Sequence, residues 1–193
     1  MNQRHNYCLF YRKVKYLRIE VSKDIIRLIV PPKYPVKIDD VIERKKGWIQ
    51  SKVEQLRELE DISNRLSLYN CENLEEIVGR NVNEYGSILK VMPEKIFFRR
   101  MKNRWGSCHF RNKKLIFNRR LKFLPEELIR YVVLHEMCHL IVKNHRKEFW
   151  LLVKKLDERY EEKERLLLCY NLKLMEEQNA NFKDAEKETP LPL

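Results

Sequence analysis

Three of the five histidines of this chain fall within eleven residues, at positions 135, 139 and 145. His135 and His139 open and close the sequence His-Glu-Met-Cys-His, an H-E-x-x-H motif. Residues four apart lie above one another on a helix face, so both imidazoles can reach one metal ion. Glu136 would take a proton from a water that the metal activates. A chance match on an amphipathic helix is the alternative, and the clustering of histidines argues against it.

A catalytic zinc ion takes three protein ligands and keeps one position open. His145 is our candidate for the third ligand, because a turn at Lys143 and Asn144 would bring it back to the metal. We therefore predict one zinc ion per chain, held by His135, His139 and His145. Carboxylates further along the chain are alternative third ligands: Glu148, Asp157 and Glu158.

Helices and strands around the motif must position these side chains. A proline followed by two glutamates predicts a helix start, and this helix should span residues 125–143. A second helix is predicted from about residue 146 to beyond residue 168. The runs 96–101 and 115–121 have the character of strands, and a tight turn is predicted at 105–107.

The N-terminal part of the chain has a different pattern. Residues 14–21 alternate between apolar and polar side chains, and 25–30 are rich in β-branched residues, which together predict an antiparallel hairpin. Apolar residues at helical spacing predict a helix over 39–60. Short strands are predicted at 82–85 and 88–91.

These elements predict an α+β fold in which a small antiparallel sheet packs on the metal-binding helix, preceded by a β-hairpin and a helix. The predicted organisation is an N-terminal region, 1–92, followed by a catalytic core, 93–175. Residues 176–193 contain few large apolar side chains and are predicted to be a disordered tail.

Targeting signals and cysteine usage bear on the compartment. No run approaches the roughly 18 apolar residues of a transmembrane helix, so we expect no membrane association. The first eleven residues are polar and lack the apolar segment of a secretory signal. The five cysteines are scattered and odd in number, which fits reduced thiols better than a disulfide framework. We therefore expect a cytoplasmic protein.

The formal net charge of +12 would attract anionic partners. Eleven of the basic residues fall between residues 95 and 122, a stretch without a single acidic residue that we call the basic segment. A solvated face and a phosphate-binding surface are both compatible with such a run.

The residues around the motif resemble a known family. Residues 100–108 resemble the R-x-K-x-R-W-G-S-C signature of the YgjP-like metallopeptidases, which are related to the SprT-like and WLM zincins. Residues 131–150 are similar to the family's Y-V-V-x-H-E-x-x-H-L, N-H and F-W pattern, 115–121 to its N-x-x-L strand, and 48–52 to its W-I-x-x-K element. The resemblance implies a zincin-like α+β fold, the same three histidine ligands and Glu136 as the catalytic carboxylate.

Three functions remain open at this stage. The first is a peptidase that binds a peptide or protein substrate as an added strand, along 96–101 or 115–121. The second is a hydrolase of nucleotides or other phosphate esters, with Arg100 and Arg104 stabilising phosphoryl charge. The third is a nucleic-acid-associated protein that binds through the basic segment. Arg100, Arg104 and Trp105 are the candidate substrate-binding residues.

Overall fold

A computed structural model describes residues 6–22, 25–33 and 37–187 of the chain. The chain divides into two compact units, residues 1–65 and residues 66–193. The boundary predicted after residue 92 falls inside the second unit, which begins well before it. Within the described part of the chain, no helix combines the length and apolar character needed to cross a membrane.

Unit 1 contains a three-stranded sheet followed by a long helix. Strands β1 (Asn6–Tyr11), β2 (Arg18–Val21) and β3 (Ile25–Val30) lie in the order β1-β3-β2. The predicted hairpin is present, because β2 and β3 pair in antiparallel fashion, although β2 is shorter than predicted. β1 pairs with β3 in parallel and was not predicted. Helix α1 spans Ile38–Arg65, several residues beyond the predicted end.

The alternation of β2 explains how unit 1 holds together. Ile19 and Val21 point to one side of the strand and pack against a buried cluster of Ile26, Ile49 and Val53. Ile49 and Val53 lie four residues apart on α1, so one stripe of the helix meets one face of the sheet.

The described residues of unit 2 form four α-helices: α2 (Leu74–Leu89), α3 (Glu126–Cys138), α4 (Lys147–Leu156) and α5 (Tyr160–Lys187). The strands predicted at 82–85 and 88–91 are wrong, since these residues form the last turns of α2 and its end. Ile77, Val78 and Val82 are buried at helical spacing and pack into the core with α3. The β-branched and aromatic residues Val82, Tyr85, Ile88 and Val91 on either side of Gly86 gave the false strand signal.

The end of α2 shows why Gly86 is a glycine. A Cβ atom there would overlap the sulfur of Met92 and lie 3.2 Å from the carbonyl oxygen of Val91. Lys90 caps the helix in the left-handed conformation, with φ of 57°. The chain therefore turns back tightly over the last turn of the helix and leads directly into the next strand.

A second three-stranded sheet precedes α3. Its strands are β4 (Lys95–Arg99), β5 (Gly106–His109) and β6 (Lys114–Asn118), in the order β4-β6-β5. The sheet is mixed and not antiparallel as predicted, because β4 pairs with β6 in parallel and β5 pairs with β6 in antiparallel fashion. β6 is central, and its Leu115 and Phe117 are fully buried. A 3-10 helix over Arg119–Phe123 ends it earlier than predicted.

Helix α3 lies at the centre of unit 2 and contacts α2, α4, α5 and β5. It ends at Cys138, earlier than the predicted residue 143, and the chain then turns towards His145. The single helix predicted after residue 146 is two helices, because the extended conformation of Asp157 separates α4 from α5. Helix α5 continues to Lys187, through part of the predicted disordered tail, and residues 188–193 lie outside the described residues.

Candidate metal centre

The structure brings the three predicted histidines together. The Nε2 atom of His145 lies 2.9 Å from that of His135 and 3.0 Å from that of His139. Among the described residues, these three form a group whose donor atoms could hold a metal ion. The alternative third ligands, Glu148, Asp157 and Glu158, are not part of it.

Two of the rings are held from behind. Nδ1 of His139 lies 3.0 Å from the carbonyl oxygen of Val142, and Nδ1 of His135 lies 3.5 Å from Oε1 of Glu164. A carbonyl or carboxylate oxygen only accepts, so each Nδ1 carries the proton and each Nε2 keeps its lone pair. This arrangement is typical of metal-binding histidines. The lone pairs point towards His145, which is the donor geometry that a cation requires.

Glu164 of α5 is a supporting residue that the sequence analysis missed. Its Oε1 accepts a hydrogen bond of 2.7 Å from the hydroxyl of Tyr131, and it faces His135. Burial alone would raise the pKa of Glu164, but the hydrogen bonds with His135 and Tyr131 outweigh it and lower the pKa. The carboxylate is thus stabilised in its charged form. Glu164 lies 29 positions after His135, so no local sequence pattern linked it to the motif.

Helix α4 packs aromatic rings against the histidines. Phe149 is fully buried and stacks on His139 with ring centroids 4.4 Å apart. Nε1 of Trp150 donates to the backbone oxygen of His145 at 3.1 Å, and the Trp150 ring stacks on Tyr160. Phe149 and Trp150 thus pack against the histidines and help to fix the positions of the imidazoles.

Burial and local charge set the protonation of the site. Burial lowers the pKa of His139 to about 4 and also lowers that of His145. Burial raises the pKa of Glu136 to about 7, against the opposing charges of His135 and Arg104. One carboxylate oxygen of Glu136, Oε2, is buried without a hydrogen-bond partner among the described residues.

Gly106, the first residue of β5, lies directly against this carboxylate. A Cβ atom at Gly106 would be 2.6 Å from Oε1 of Glu136 and 2.9 Å from its Cδ. Real Cβ atoms do not approach other atoms so closely, so any larger residue would displace the carboxylate. The glycine of the Trp-Gly-Ser-Cys sequence therefore leaves the space that Glu136 occupies.

Asn118 positions the segment that precedes β5. Its side-chain amide donates to the backbone oxygens of Met101 and Arg104, at 2.8 and 2.6 Å. Nη1 of the neighbouring Arg120 donates to the backbone oxygen of Lys102, and its guanidinium lies 5.8 Å from the Trp105 ring centroid. These contacts hold the wall of the cleft in place. In the sequence, Asn118 stood out only as the asparagine of the N-x-x-L pattern.

The histidines open into a cleft of about 960 Å³ between the segment 103–112, α3 and α5. Arg104 and Trp105, two of the candidate substrate-binding residues, line the cleft, whereas Arg100 does not. Arg111 and Lys143 add positive charge to its walls. Much of the basic segment lies elsewhere on unit 2.

β5 is the strand beside this cleft. The strands 96–101 and 115–121 were predicted to bind substrate, but β6 is central and only β5, at the sheet edge, lines the cleft. The backbone N–H of Asn118 donates to the backbone oxygen of Trp105 at 2.8 Å, so these two residues form a hydrogen-bonded pair. Antiparallel pairs alternate, so the backbone groups of Gly106 and Cys108 point away from β6. The open edge thus offers unpaired hydrogen-bonding groups.

Neither cysteine near the site belongs to the group of described residues whose donor atoms could hold a metal ion. Burial raises the pKa of both Cys108 and Cys138 to about 12, so both remain thiols at neutral pH. Cys108 lines the cleft, and Cys138 is fully buried in the core. His109 is exposed at the rim of the cleft.

Comparison with known proteins agrees with this site. The fold and the clustered histidines are those of a metal-dependent hydrolase, and residues 57–168 match the family model "YgjP-like, metallopeptidase domain". The chain belongs to the YgjP-like metallopeptidase family. The resemblance noted in the sequence and the α+β prediction are both confirmed. A search of curated proteins gave no significant match.

Solved structures, two of them of metallopeptidase zymogens, are also similar to part of the chain. The abylysin zymogen of Pyrococcus abyssi is 24% identical, with 47% of this chain and 91% of that chain covered and a TM-score of 0.43. The jannalysin zymogen of Methanocaldococcus jannaschii is 24% identical, with 50% and 95% covered and a TM-score of 0.42. Wss1 of Saccharomyces cerevisiae is 20% identical, with 48% and 78% covered and a TM-score of 0.40.

Replacing Gly106 by Ala should disturb the Glu136 carboxylate while leaving the three histidines in place. The new methyl group would displace Glu136, so we expect peptidase activity to fall on the order of a hundredfold. Metal content, measured by elemental analysis, should stay unchanged. Gly79→Ala is the matched control, because nothing lies within 4 Å of its Cβ position. Equal activity in the two variants would contradict the assigned role of Gly106.

Replacing Glu164 by Gln should weaken metal binding without removing a ligand. The loss of the carboxylate behind His135 should lower zinc affinity by about 10- to 100-fold, measured by competition with a chelator. Glu176→Gln, an exposed position on the same helix, is the control. An unchanged affinity in Glu164→Gln would show that this residue does not orient His135.

Proposed function

We propose that the protein is a zinc-dependent peptidase in which His135, His139 and His145 bind the metal and Glu136 is the general base. The observation that carries this proposal is the convergence of three imidazole nitrogens beside a buried carboxylate. Membership of a metallopeptidase family supports the class of reaction.

The donor set fits zinc. A tetrahedral zinc ion with zinc–nitrogen distances of about 2.0–2.1 Å holds its ligand nitrogens roughly 3.3 Å apart. The two measured separations, 2.9 and 3.0 Å, lie within a small ring adjustment of that value. Three imidazoles with space for a further ligand are typical of catalytic zinc. When bound, zinc would lower the pKa of a water molecule and polarise the substrate carbonyl.

Glu136 has the environment of a general base. Its side chain is only 6% exposed, and its Oε2 atom has no described partner that would compete for a proton. Glu136 lines the same cleft as the three histidines and lies close enough to His135 for the charge of that ring to lower its pKa, and Gly106 lies against its carboxylate. A buried base accepts a proton more readily than a solvated one and can return it to the leaving amine.

β5 would bind the substrate. A peptide in extended conformation would pair with the outward-facing backbone groups of Gly106 and Cys108, which places its carbonyl beside the histidines. Backbone pairing recognises any sequence, so side-chain preference would come from the walls of the cleft. Arg104, Arg111 and Lys143 would favour acidic side chains near the cleaved bond.

The same cations support a second candidate, hydrolysis of a nucleotide or another phosphate ester. Guanidinium groups stabilise charge on a phosphoryl group, and Arg104 lies close enough to Glu136 to affect its pKa. Most such enzymes use magnesium or paired metals bound by carboxylates, which the three-histidine group does not resemble. Zinc-loaded protein that turns over nucleotides but cleaves no peptide would favour this candidate.

Replacing Glu136 by Gln should abolish peptide cleavage and leave the zinc site intact. The amide has nearly the same shape but accepts no proton, so we expect the rate of cleavage to fall by a factor of about 10² to 10⁴. Cleavage of a mixed peptide library can be followed by mass spectrometry. Glu148→Gln is the control, since this exposed carboxylate lies outside the histidine group. Full activity in Glu136→Gln would contradict the mechanism.

A further inference from the structure

Unit 1 contains a groove of its own, with a volume of about 690 Å³. One wall is the chain that leads into β2, and the other is the first half of α1. Its lining residues are Lys15, Tyr16, Leu17, Ile19, Val41, Arg44, Lys45 and Trp48. None of the peptidase machinery belongs to this unit, so the groove needs a separate explanation.

Every charged side chain that lines the groove is a cation: Lys15, Arg44 and Lys45. Among the described residues, no carboxylate lies within ion-pair distance of these three. The nearby Lys46, in contrast, pairs with Glu43 at 3.4 Å. Cations that converge without a counter-charge repel one another, and the surface is stabilised when an anion binds between them.

Two aromatic rings accompany these cations. Trp48 is 46% exposed and Tyr16 is 67% exposed, although both are large side chains. The core does not use Trp48, because its neighbour Ile49 occupies the buried face of α1. Val41, Arg44 and Trp48 share one face of the helix at intervals of three and four residues. The indole therefore stands in the groove beside a guanidinium.

Such a combination of chemistry fits a particular ligand. Cations track a chain of phosphates, and exposed rings provide faces on which unpaired bases stack. Nζ of Lys15 lies 5.2 Å from the centroid of the Tyr16 ring, so this ring already faces a cation, whereas the exposed indole of Trp48 offers an open face. An acidic polypeptide would satisfy the cations but would provide no flat base to stack on that indole. A paired duplex would also satisfy the cations but keeps its bases out of reach.

We propose that this groove is a binding site for single-stranded nucleic acid, with Trp48 and Tyr16 stacking on bases and Lys15, Arg44 and Lys45 contacting phosphates. The site is distinct from the basic segment of unit 2. It does not depend on the proposed peptidase function.

The test measures binding of the full-length chain to a fluorescein-labelled single-stranded oligothymidylate of about 20 nucleotides, which is longer than one site requires. Fluorescence anisotropy should show binding that weakens steeply as salt is raised from about 50 to 200 mM. Trp48→Ala should weaken binding by about 5- to 100-fold, the loss typical of one stacking ring. The pair Arg44→Gln and Lys45→Gln should reduce the slope of log K against log salt by about 1.4, the release from two phosphates.

Matched controls separate this groove from the rest of the surface. Tyr69→Ala removes an exposed ring from unit 2, and Lys46→Gln removes a cation that does not line the groove, so both should bind as wild type. Circular dichroism should be unchanged in all variants, since each replaced side chain is exposed. Normal binding by Trp48→Ala would overturn the proposal. So would an equal affinity for duplex DNA, or equal competition by polyglutamate.

Discussion

The metal centre depends on the convergence of nitrogen atoms from three imidazole rings. The dipoles of these rings point towards one another and therefore repel. Each ring is held by a contact that does not involve the metal. Glu164 lies behind His135, the carbonyl oxygen of Val142 lies behind His139, and the backbone of His145 accepts a hydrogen bond from Trp150. These contacts come from α5, from the turn after α3 and from α4, and the contact with Glu164 of α5 joins residues that are distant in the sequence.

Helix α3 connects the histidines of the metal centre to the hydrophobic core of unit 2. Nine of its thirteen residues are buried, including Glu136, so the helix has packing partners on nearly every side. A helix that is buried all round cannot rotate without opening cavities. The packing of α2, α4 and α5 against α3 therefore fixes the directions in which His135, Glu136 and the capping residue His139 face the cleft. Gly106 leaves space for the Glu136 carboxylate where β5 packs against α3.

The chemistry of the site could be predicted from the sequence because it is local. His135, Glu136 and His139 fall within one and a half turns of a helix, and His145 follows after a short turn. The predicted set was brought together in the structure as a group able to hold a metal. The supporting residues are not local. Glu164 comes from another helix, and Asn118 acts on a segment that precedes it by 14 to 17 residues. Only the folded chain places them.

The errors in the fold have a similar cause. Residues 82–91 contain scattered β-branched and aromatic residues around a glycine, which indicate strands locally, yet tertiary packing on α3 makes most of them helical. The strand order could not be predicted from the sequence either, because the parallel pairing of β4 with β6 joins two segments that β5 separates along the chain. This order makes β6 central, so 115–121 has no open edge. β4 is also an edge strand, but among the described strands β5 is the one that lines the cleft.

The central claim is that His145 completes a three-histidine zinc site. Its most direct test is elemental analysis of the purified chain after exposure to zinc and removal of excess metal, beside the His145→Ala variant and a His109→Ala control. The account predicts about one zinc per chain in the wild type and the control, and a sharply lower content in His145→Ala. Equal zinc in all three proteins, or no zinc in the wild type, would contradict it.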